Sequence, residues 1–390
     1  MGMFKLAFKP HYEALHFTNE FGHYLYGGMG TFMNHYFPHR SESTGFAFIY
    51  REEEYPDIES SLFPGQQDIV AFSYAESGRA GDLSFDIAVC HFYEFQFMTE
   101  PSFLQGRKLV YVIHSIPTPE PYYPENPFGE HDELRAKFEN LCYAADSLVC
   151  VSHAEKQKLC AIYPDLESKA VVIHNGMNFK EISHSTHASE TRELSEASQL
   201  GELREVREER TIFGFLGRLD YRKGLLEALK ELKGLNFELH IACGGEDPEH
   251  LSAVLQYIEA ANLQSQVRFM GWCSGTRRDA FLQSLDALIV PSLYEPFGYV
   301  ILEAIDEGIT LISSNGGGIQ EIVGDYKYQF DPYQPGEMRD AICQFQRDEA
   351  SMIQVELEKL QTQKVYFTAE RMVRNYEQLF RTLLSSPASP

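Results

Sequence analysis

Short, nearly continuous apolar runs recur along this chain, each separated from the next by a segment long enough for a helix. In the first half they are FKLAF (4–8), GFAFIY (45–50), DIVAFSY (68–74), DIAVCHFY (86–93), KLVYVIH (108–114), SLVCVS (147–152) and AVVIHNG (170–176). In the second half they are TIFGFLG (211–217), FELHIAC (237–243), VRFMG (267–271), ALIVP (287–291) and TLISS (310–314). Successive side chains of a strand point to opposite faces, so a run apolar at every position must be covered on both sides. Parallel sheets flanked by helices meet that demand. The pattern predicts an α/β protein with two doubly wound, Rossmann-like halves.

At 390 residues the chain exceeds what one hydrophobic core usually supports, which also argues for two domains. Between the halves lies EISHSTHASETRELSEASQLGELREVREER (181–210), polar and without aromatics, which reads as an exposed connection, helical in part through LSEASQLGELREVREE. FTAERMVRNYEQLFRTLL (367–384) has helical periodicity, with Thr368 as its N-cap.

The formal charge of -24, from 57 acidic against 33 basic residues, opposes tracking of a nucleic-acid backbone and docking on anionic lipid. No apolar stretch reaches the length of a membrane span, and MGMFKLAFKPHY carries no signal-peptide core. Leu6 stands where a myristoylation signal wants Ser or Thr. Cysteines 90, 142, 150, 160, 243, 273 and 343 form no CxxC pair and read as buried thiols of a reducing compartment. The expected location is cytoplasmic.

EPFGYVILE (295–303) follows the strand-like ALIVP. Its two carboxylates are too far apart to be neighbours on one helical face. Pro296 and Gly298 suit the entry to a helix, so Glu295 falls on a loop at a strand's carboxyl end and Glu303 in the early turns of the helix. In open α/β sheets ligands bind beyond those strand ends. The amides around Gly298 and Tyr299, at the positive end of the helix, suit a phosphate. GFLGRLDYRKG (214–224) adds a strand, a small-residue turn and the cations Arg218 and Lys223, which can offset charge growing on a diphosphate.

GFLGRLDYRKG, IACGGED, VRFMGW, PSLYEPFGYVILEA and SSNGGGIQEIV, in that order, resemble the donor domain of the retaining glycosyltransferases of family 4, which have the GT-B fold. The resemblance covers most of residues 211–323, and more loosely VIHNGMN (172–178) and ERMVRNYEQLF. It implies two Rossmann-like domains facing a central cleft: residues 1–180 bind the acceptor, with a C-terminal helix of about 365–390 packing back on them, and residues 181–364 bind the donor. Arg218 and Lys223 match the residues that grip the donor diphosphate, Glu303 the carboxylate that holds the ribose, and Glu295 the one that hydrogen-bonds the sugar. Phe297, Gly298 and Tyr299 match backbone contacts to the donor, and Arg268, Phe269 and Met270 the base-binding segment. Gly317 and Gly318 match a glycine pair near the cleft.

In the first half, YGGMGTF (26–32), with Gly28, resembles the glycine loop that approaches the donor phosphates, and His114 matches a histidine close to the reacting sugar. The chain departs from the family at His174, where Pro is common, and in DEGIT (306–310), where Glu307 and Thr310 replace a small residue and Pro. The resemblance implies sugar transfer, with retained configuration, from a nucleotide-diphosphate sugar, a UDP-sugar on family grounds, to a hydroxyl of a soluble acceptor, neutral or amine-bearing. The lack of any DxD triplet fits a reaction with no metal and no cofactor. An epimerase or phosphorylase of the same fold, or a non-catalytic nucleotide-sugar-binding subunit, is the alternative. The acceptor-side stretches EFQFM (94–98) and IPTPEPYYPENPFGEHDE (116–133) match no substrate-defining pattern, and their aromatics suit a sugar-stacking lip or a rigid loop.

Overall fold

The computed structural model describes residues 5–6, 9–20, 27–50, 68–117, 131–180, 210–244 and 247–385. The expected helix within 181–210, most of the 116–133 stretch, Tyr26 of the glycine loop and Gly245–Glu246 of IACGGED lie outside these residues.

Two sheets form among the described residues. The first contains β1 (Lys5–Leu6), β2 (Tyr12–Thr18), β3 (Thr44–Tyr50), β4 (Ile69–Ser73), β5 (Phe85–Cys90), β6 (Lys108–Ile113), β7 (Ser147–Cys150) and β8 (Ala170–Val172), in the order β1-β4-β3-β2-β5-β6-β7-β8. The second contains β9 (Thr211–Arg218), β10 (Phe237–Gly244), β11 (Val267–Phe269), β12 (Ala287–Val290), β13 (Thr310–Ser314) and β14 (Gln329–Phe330), in the order β11-β10-β9-β12-β13-β14. All pairings are parallel except β1 with β4. The α/β, doubly wound reading therefore holds.

Two strands escaped the apolar-run reading. β2, at the centre of the first sheet, carries Glu13 and His16 inside YEALHFT, yet His16 is fully buried. β14 is only two residues long. The run FKLAF forms only the short antiparallel β1 among its described residues.

The core explains why the two lobes act together. One face of the first sheet, with Phe46, Phe48, Val89 and Val110, belongs to the same apolar cluster as Phe213, Ile289 and Leu302 of the second lobe. Leu15, Phe17, Ala88 and Tyr111, on the other face, build a separate core. Each fully buried Phe or Leu contributes about 1.5–3 kcal/mol.

The chain also returns to its first lobe. The helix Ala369–Ser385 is strongly amphipathic, and its Tyr376 and Phe380 pack on His16 of β2, while Tyr376 also meets Tyr36 at 5.4 Å between centroids. Thr368 Oγ1 accepts the Arg371 amide at 3.2 Å, as expected of an N-cap. At the crossing, the Met177 amide donates to Phe367 O at 2.8 Å and the Ala369 amide to Met177 O at 3.0 Å, so the returning strand lies beside the outgoing one.

Candidate functional site

β9 ends at Arg218, where a turn begins. Asp220 organises it: one carboxylate oxygen accepts the Arg222 amide at 3.1 Å, and the other pairs with Arg218 at 3.3 Å. The turn closes at Gly224 with φ +69, where a Cβ would stand 2.1 Å from Pro291 O. No L side chain fits, so the basic turn is pressed against the exit of β12. The Leu293 amide completes the seam by donating to Arg222 O at 2.8 Å. This closeness lets Lys223 Nζ reach Glu295 Oε2 at 2.5 Å.

Glu295 is held from behind. Its carbonyl accepts the Gly318 amide at 2.8 Å, and at Gly317 (φ +66) a Cβ would lie 2.3 Å from that same oxygen. The glycine pair thus serves close backbone contact with the Glu295 loop. Gly298, at φ +109, then turns the chain into the helix Tyr299–Glu307. The first amides of a helix have no intrahelical acceptor, which leaves this end electropositive.

Glu303 lies on that helix, deep in the wall, and Arg278 Nη1 donates to it at 2.7 Å. Burial raises its carboxyl above the usual range, with Arg278 opposing. Phe297 turns inward against Tyr299 and Phe367, at 5.3 and 5.9 Å between centroids. Tyr299 is buried and stacks at 5.8 Å on His35, from the helix Gly28–Tyr36 of the first lobe. The two helices meet across the cleft floor.

The amino end of the Gly28 helix is approached by a carboxylate of its own lobe. Glu20 accepts the Gly30 amide at 2.8 Å. Burial raises the Glu20 carboxyl, with the Gly30 and Gly27 amides and the charge of Arg218 opposing. His114, half-buried after β6, bonds through Nε2 to His91 Nδ1 at 3.0 Å.

Arg268, Phe269 and Met270 lie at and just beyond β11, on the edge of the second sheet. Arg268 pairs with Glu238 at 2.7 Å, while Phe269 is 42% exposed. Trp272, at 47% exposure, rests against Gly244 at the end of β10, where a Cβ would come within 2.8 Å of its ring. Trp272, the only Trp in the chain, closes the motif VRFMGW, to which the sequence alone assigned only Arg268, Phe269 and Met270.

A second set of missed residues joins the lobes. Glu155, fully buried, accepts the Ile116 amide at 2.7 Å, two residues beyond His114, and also the Tyr294 hydroxyl. Glu321 accepts the His153 and Ala154 amides at 2.9 and 2.8 Å and bonds His174 at 2.7 Å. His153, His174 and Glu321 form the one group among the described residues that could gather round a metal ion. The positive end of the helix His153–Ile162 repels a cation there, and Glu321 already serves as its amide acceptor. The group therefore acts as a latch between lobes, and His174 at the family's Pro position is part of it.

Arg218, Lys223 and Glu295 thus lie just beyond the carboxyl ends of β9 and β12, Gly298 and Tyr299 open the helix that follows, with Tyr299 against the Gly28 helix of the first lobe, and Glu303 sits one turn further on, paired with Arg278. Two parallel α/β lobes closing on such a cleft define a GT-B architecture. The model for glycosyl transferases group 1 matches residues 202–362 and that for glycosyltransferase family 4 matches residues 42–181. The chain belongs to this family of glycosyltransferases.

An uncharacterized glycosyltransferase of Methanocaldococcus jannaschii is 31% identical over 185 residues, 46% of this chain and 45% of the relative. A 2-deoxystreptamine N-acetyl-D-glucosaminyltransferase of Niallia circulans is 34% identical over 111 residues, 28% of each chain. The chain thus spans about half or less of the length of these curated relatives. Among solved structures, sucrose-phosphate synthase from Thermosynechococcus elongatus aligns over 96% of this chain and 100% of its own, with TM-score 0.71 at 15% identity. An Anabaena protein in complex with UDP and glucose aligns over 96% and 100%, with TM-score 0.69 at 16% identity. These likenesses establish the shared fold.

Proposed function

We propose that the chain transfers a sugar, with retention of configuration, from a nucleotide-diphosphate sugar to a hydroxyl of a small, neutral or amine-bearing acceptor. One observation carries the reading: Lys223 and Glu295 meet at 2.5 Å just beyond the ends of β9 and β12, in the turn that Arg218 opens. In this reading the diphosphate lies between Arg218, Lys223 and the amides near Gly298, and Glu295 orients the sugar hydroxyls. Glu303 takes the ribose, and Arg268, Phe269 and Met270 border the base. His114 lies on the sugar side, and residues 1–180 receive the acceptor.

The chemistry follows from charge. As the bond from C1 to the phosphate oxygen breaks, its electron pair goes to the diphosphate, and the sugar gains oxocarbenium character. The two cations and the helix amides stabilise the anion without a metal. The acceptor oxygen bonds C1 on the same face, and its proton passes to the departing phosphate oxygen. No second carboxylate is required as a nucleophile, unlike retaining hydrolases. The donor is a UDP-sugar in this reading, a choice supported by the family resemblance and by the UDP bound in the Anabaena structure.

A thermal-shift screen of UDP-, GDP- and ADP-sugars tests the reading, since a ligand that binds only the folded chain raises its melting temperature. A shift with one nucleotide class, followed by transfer to acceptor, is the expected result. No shift with any of them overturns it. Turnover of the bound sugar nucleotide without acceptor would move the assignment to an epimerase.

A further inference from the structure

Three imidazoles run in a line through the first lobe. His16 Nδ1 lies 2.9 Å from His91 Nε2, and His91 Nδ1 lies 3.0 Å from His114 Nε2. His16 and His91 are buried, while His114 is the partly exposed end beyond β6. The Phe32 ring packs on both His91 and His114, at 5.1 and 5.4 Å between centroids, and fixes their planes.

All three rings are neutral at physiological pH. Burial holds His16 and His114 down to about 3, and it holds His91 well below its usual value, with its two histidine neighbours adding to the effect. A neutral imidazole has one donor and one acceptor nitrogen. Each ring therefore spends one nitrogen giving and the other receiving, and the chain runs in a single direction. Reversing it means moving the proton on every ring.

The two ends decide which direction. The far nitrogen of His16, Nε2, is enclosed and has no hydrogen-bond partner among the described residues. It lies among Tyr36 and Tyr376, whose rings stand 4.6 and 6.2 Å from that of His16. An enclosed N–H without an acceptor is the costlier orphan, and a bare nitrogen is the more tolerable one. The bare nitrogen thus belongs at His16 Nε2, and its proton sits on Nδ1, donating to His91. His91 in turn donates from Nδ1 to His114 Nε2.

We propose that His16 and His91 are positioning residues whose hydrogen-bond chain holds His114 protonated on Nδ1, so that its outer nitrogen donates and does not accept. His114 is then an orienting donor for an oxygen of the bound sugar or its leaving group, and not a proton-accepting base. This role rests on the sugar-transfer reading of the cleft; the tautomer itself does not.

The test is a multiple-bond nitrogen–proton correlation spectrum of the full chain labelled with 15N-histidine, at pH 7. The signal that vanishes in His114→Gln identifies the residue. The expected pattern is protonated Nδ1 and bare Nε2. His91→Phe should switch His114 to the Nε2-protonated form, whereas His91→Asn, whose amide can donate in place of Nδ1–H, should leave it as in the native chain. Should His91→Phe not fold, His91→Leu removes the same donor and should give the same switch. A native His114 protonated on Nε2, or a pattern unchanged when the His91 donor is removed, overturns the proposal.

A kinetic arm separates positioning from packing. With a nucleotide sugar that is turned over, His91→Phe should lower kcat about tenfold at unchanged KM, the effect of losing one well-placed hydrogen bond, and His91→Asn should restore it. Equal losses in the two variants would mark a structural role only and overturn the positioning. The spectrum reads the tautomer whether or not a sugar is moved, and failure of the transfer reading appears separately, as absence of any thermal shift with nucleotide sugars.

Discussion

Tyr294, in the second lobe, donates its hydroxyl hydrogen bond to Glu155 of the first, one residue before the carboxylate that holds Lys223. The same Glu155 receives the Ile116 amide just beyond His114. One buried carboxylate therefore registers the loops that contribute Glu295 and His114. Tyr294→Phe should destabilise the chain by about 1–3 kcal/mol, the cost of removing a donor from a buried acceptor. Chemical denaturation checks this, and a loss below about 0.5 kcal/mol, the range of an ordinary surface substitution, would show that the bond is not felt.

Arg218→Ala and Lys223→Ala should each lower kcat by about two to three orders of magnitude, as expected for removing one preorganised group from a developing anion. Both are partly exposed, with side chains at 45% and 21% of full exposure, so the melting temperature should change little. Steady-state rates beside a thermal scan provide the check. Undiminished turnover in either variant is incompatible with the diphosphate position assigned here.

Glu20 bonds the amino end of the Gly28 helix, where a donor phosphate would approach. Glu20→Gln removes a negative charge from beside that path and should tighten nucleotide-sugar binding by roughly tenfold, or 1.4 kcal/mol. Titration calorimetry of the two proteins measures it. Weaker binding by the variant would mean that Glu20 helps the donor and does not oppose it.

Gly317→Ala places a methyl group 2.3 Å from Glu295 O at a positive φ. The loop must shift, at a cost of about 1–3 kcal/mol. Because the displaced atom belongs to Glu295, kcat should fall much more than stability does. Parallel rate and unfolding measurements distinguish this from general damage.

The latch at Glu321 should make stability depend on pH. Burial alone would raise its carboxyl, but the bonds from His174 and from the His153 and Ala154 amides win, and the net position is below the usual 4.5. A carboxyl depressed in the folded chain contributes its stability above the unfolded value and loses it as pH falls through the folded one. The stability difference between the native chain and Glu321→Gln should therefore be full at pH 7 and shrink below about pH 4.5. Urea midpoints across that window report it, and a difference constant with pH excludes the titration.

The residues proposed for charge chemistry were legible because their types and order are themselves the signal. Arg218, Lys223 and Glu295 fall at or just beyond the strand ends and Glu303 in the helix that follows, as their spacing implied, and the α/β pattern followed from runs apolar on both faces. The partners were not legible. Arg278 reaches Glu303 from 25 positions away, and Tyr294 reaches Glu155 from 139. The central strand β2 was hidden because Glu13 and His16 interrupt its apolar run. His16 is tolerated there only through a bond to His91, 75 residues on. Periodicity registers hydrophobicity along one strand, and such compensation comes from another.

The pairing of Met177 with Phe367 and Ala369 has an engineering consequence. Because the polypeptide crosses the waist of the molecule twice and then seats Tyr376 and Phe380 against the first sheet, no single cut yields two intact halves. Removing the second lobe as one terminal block would strip the other of part of its covering. Any attempt to swap donor modules between relatives must keep the last helix with its original first lobe, and make two junctions instead of one.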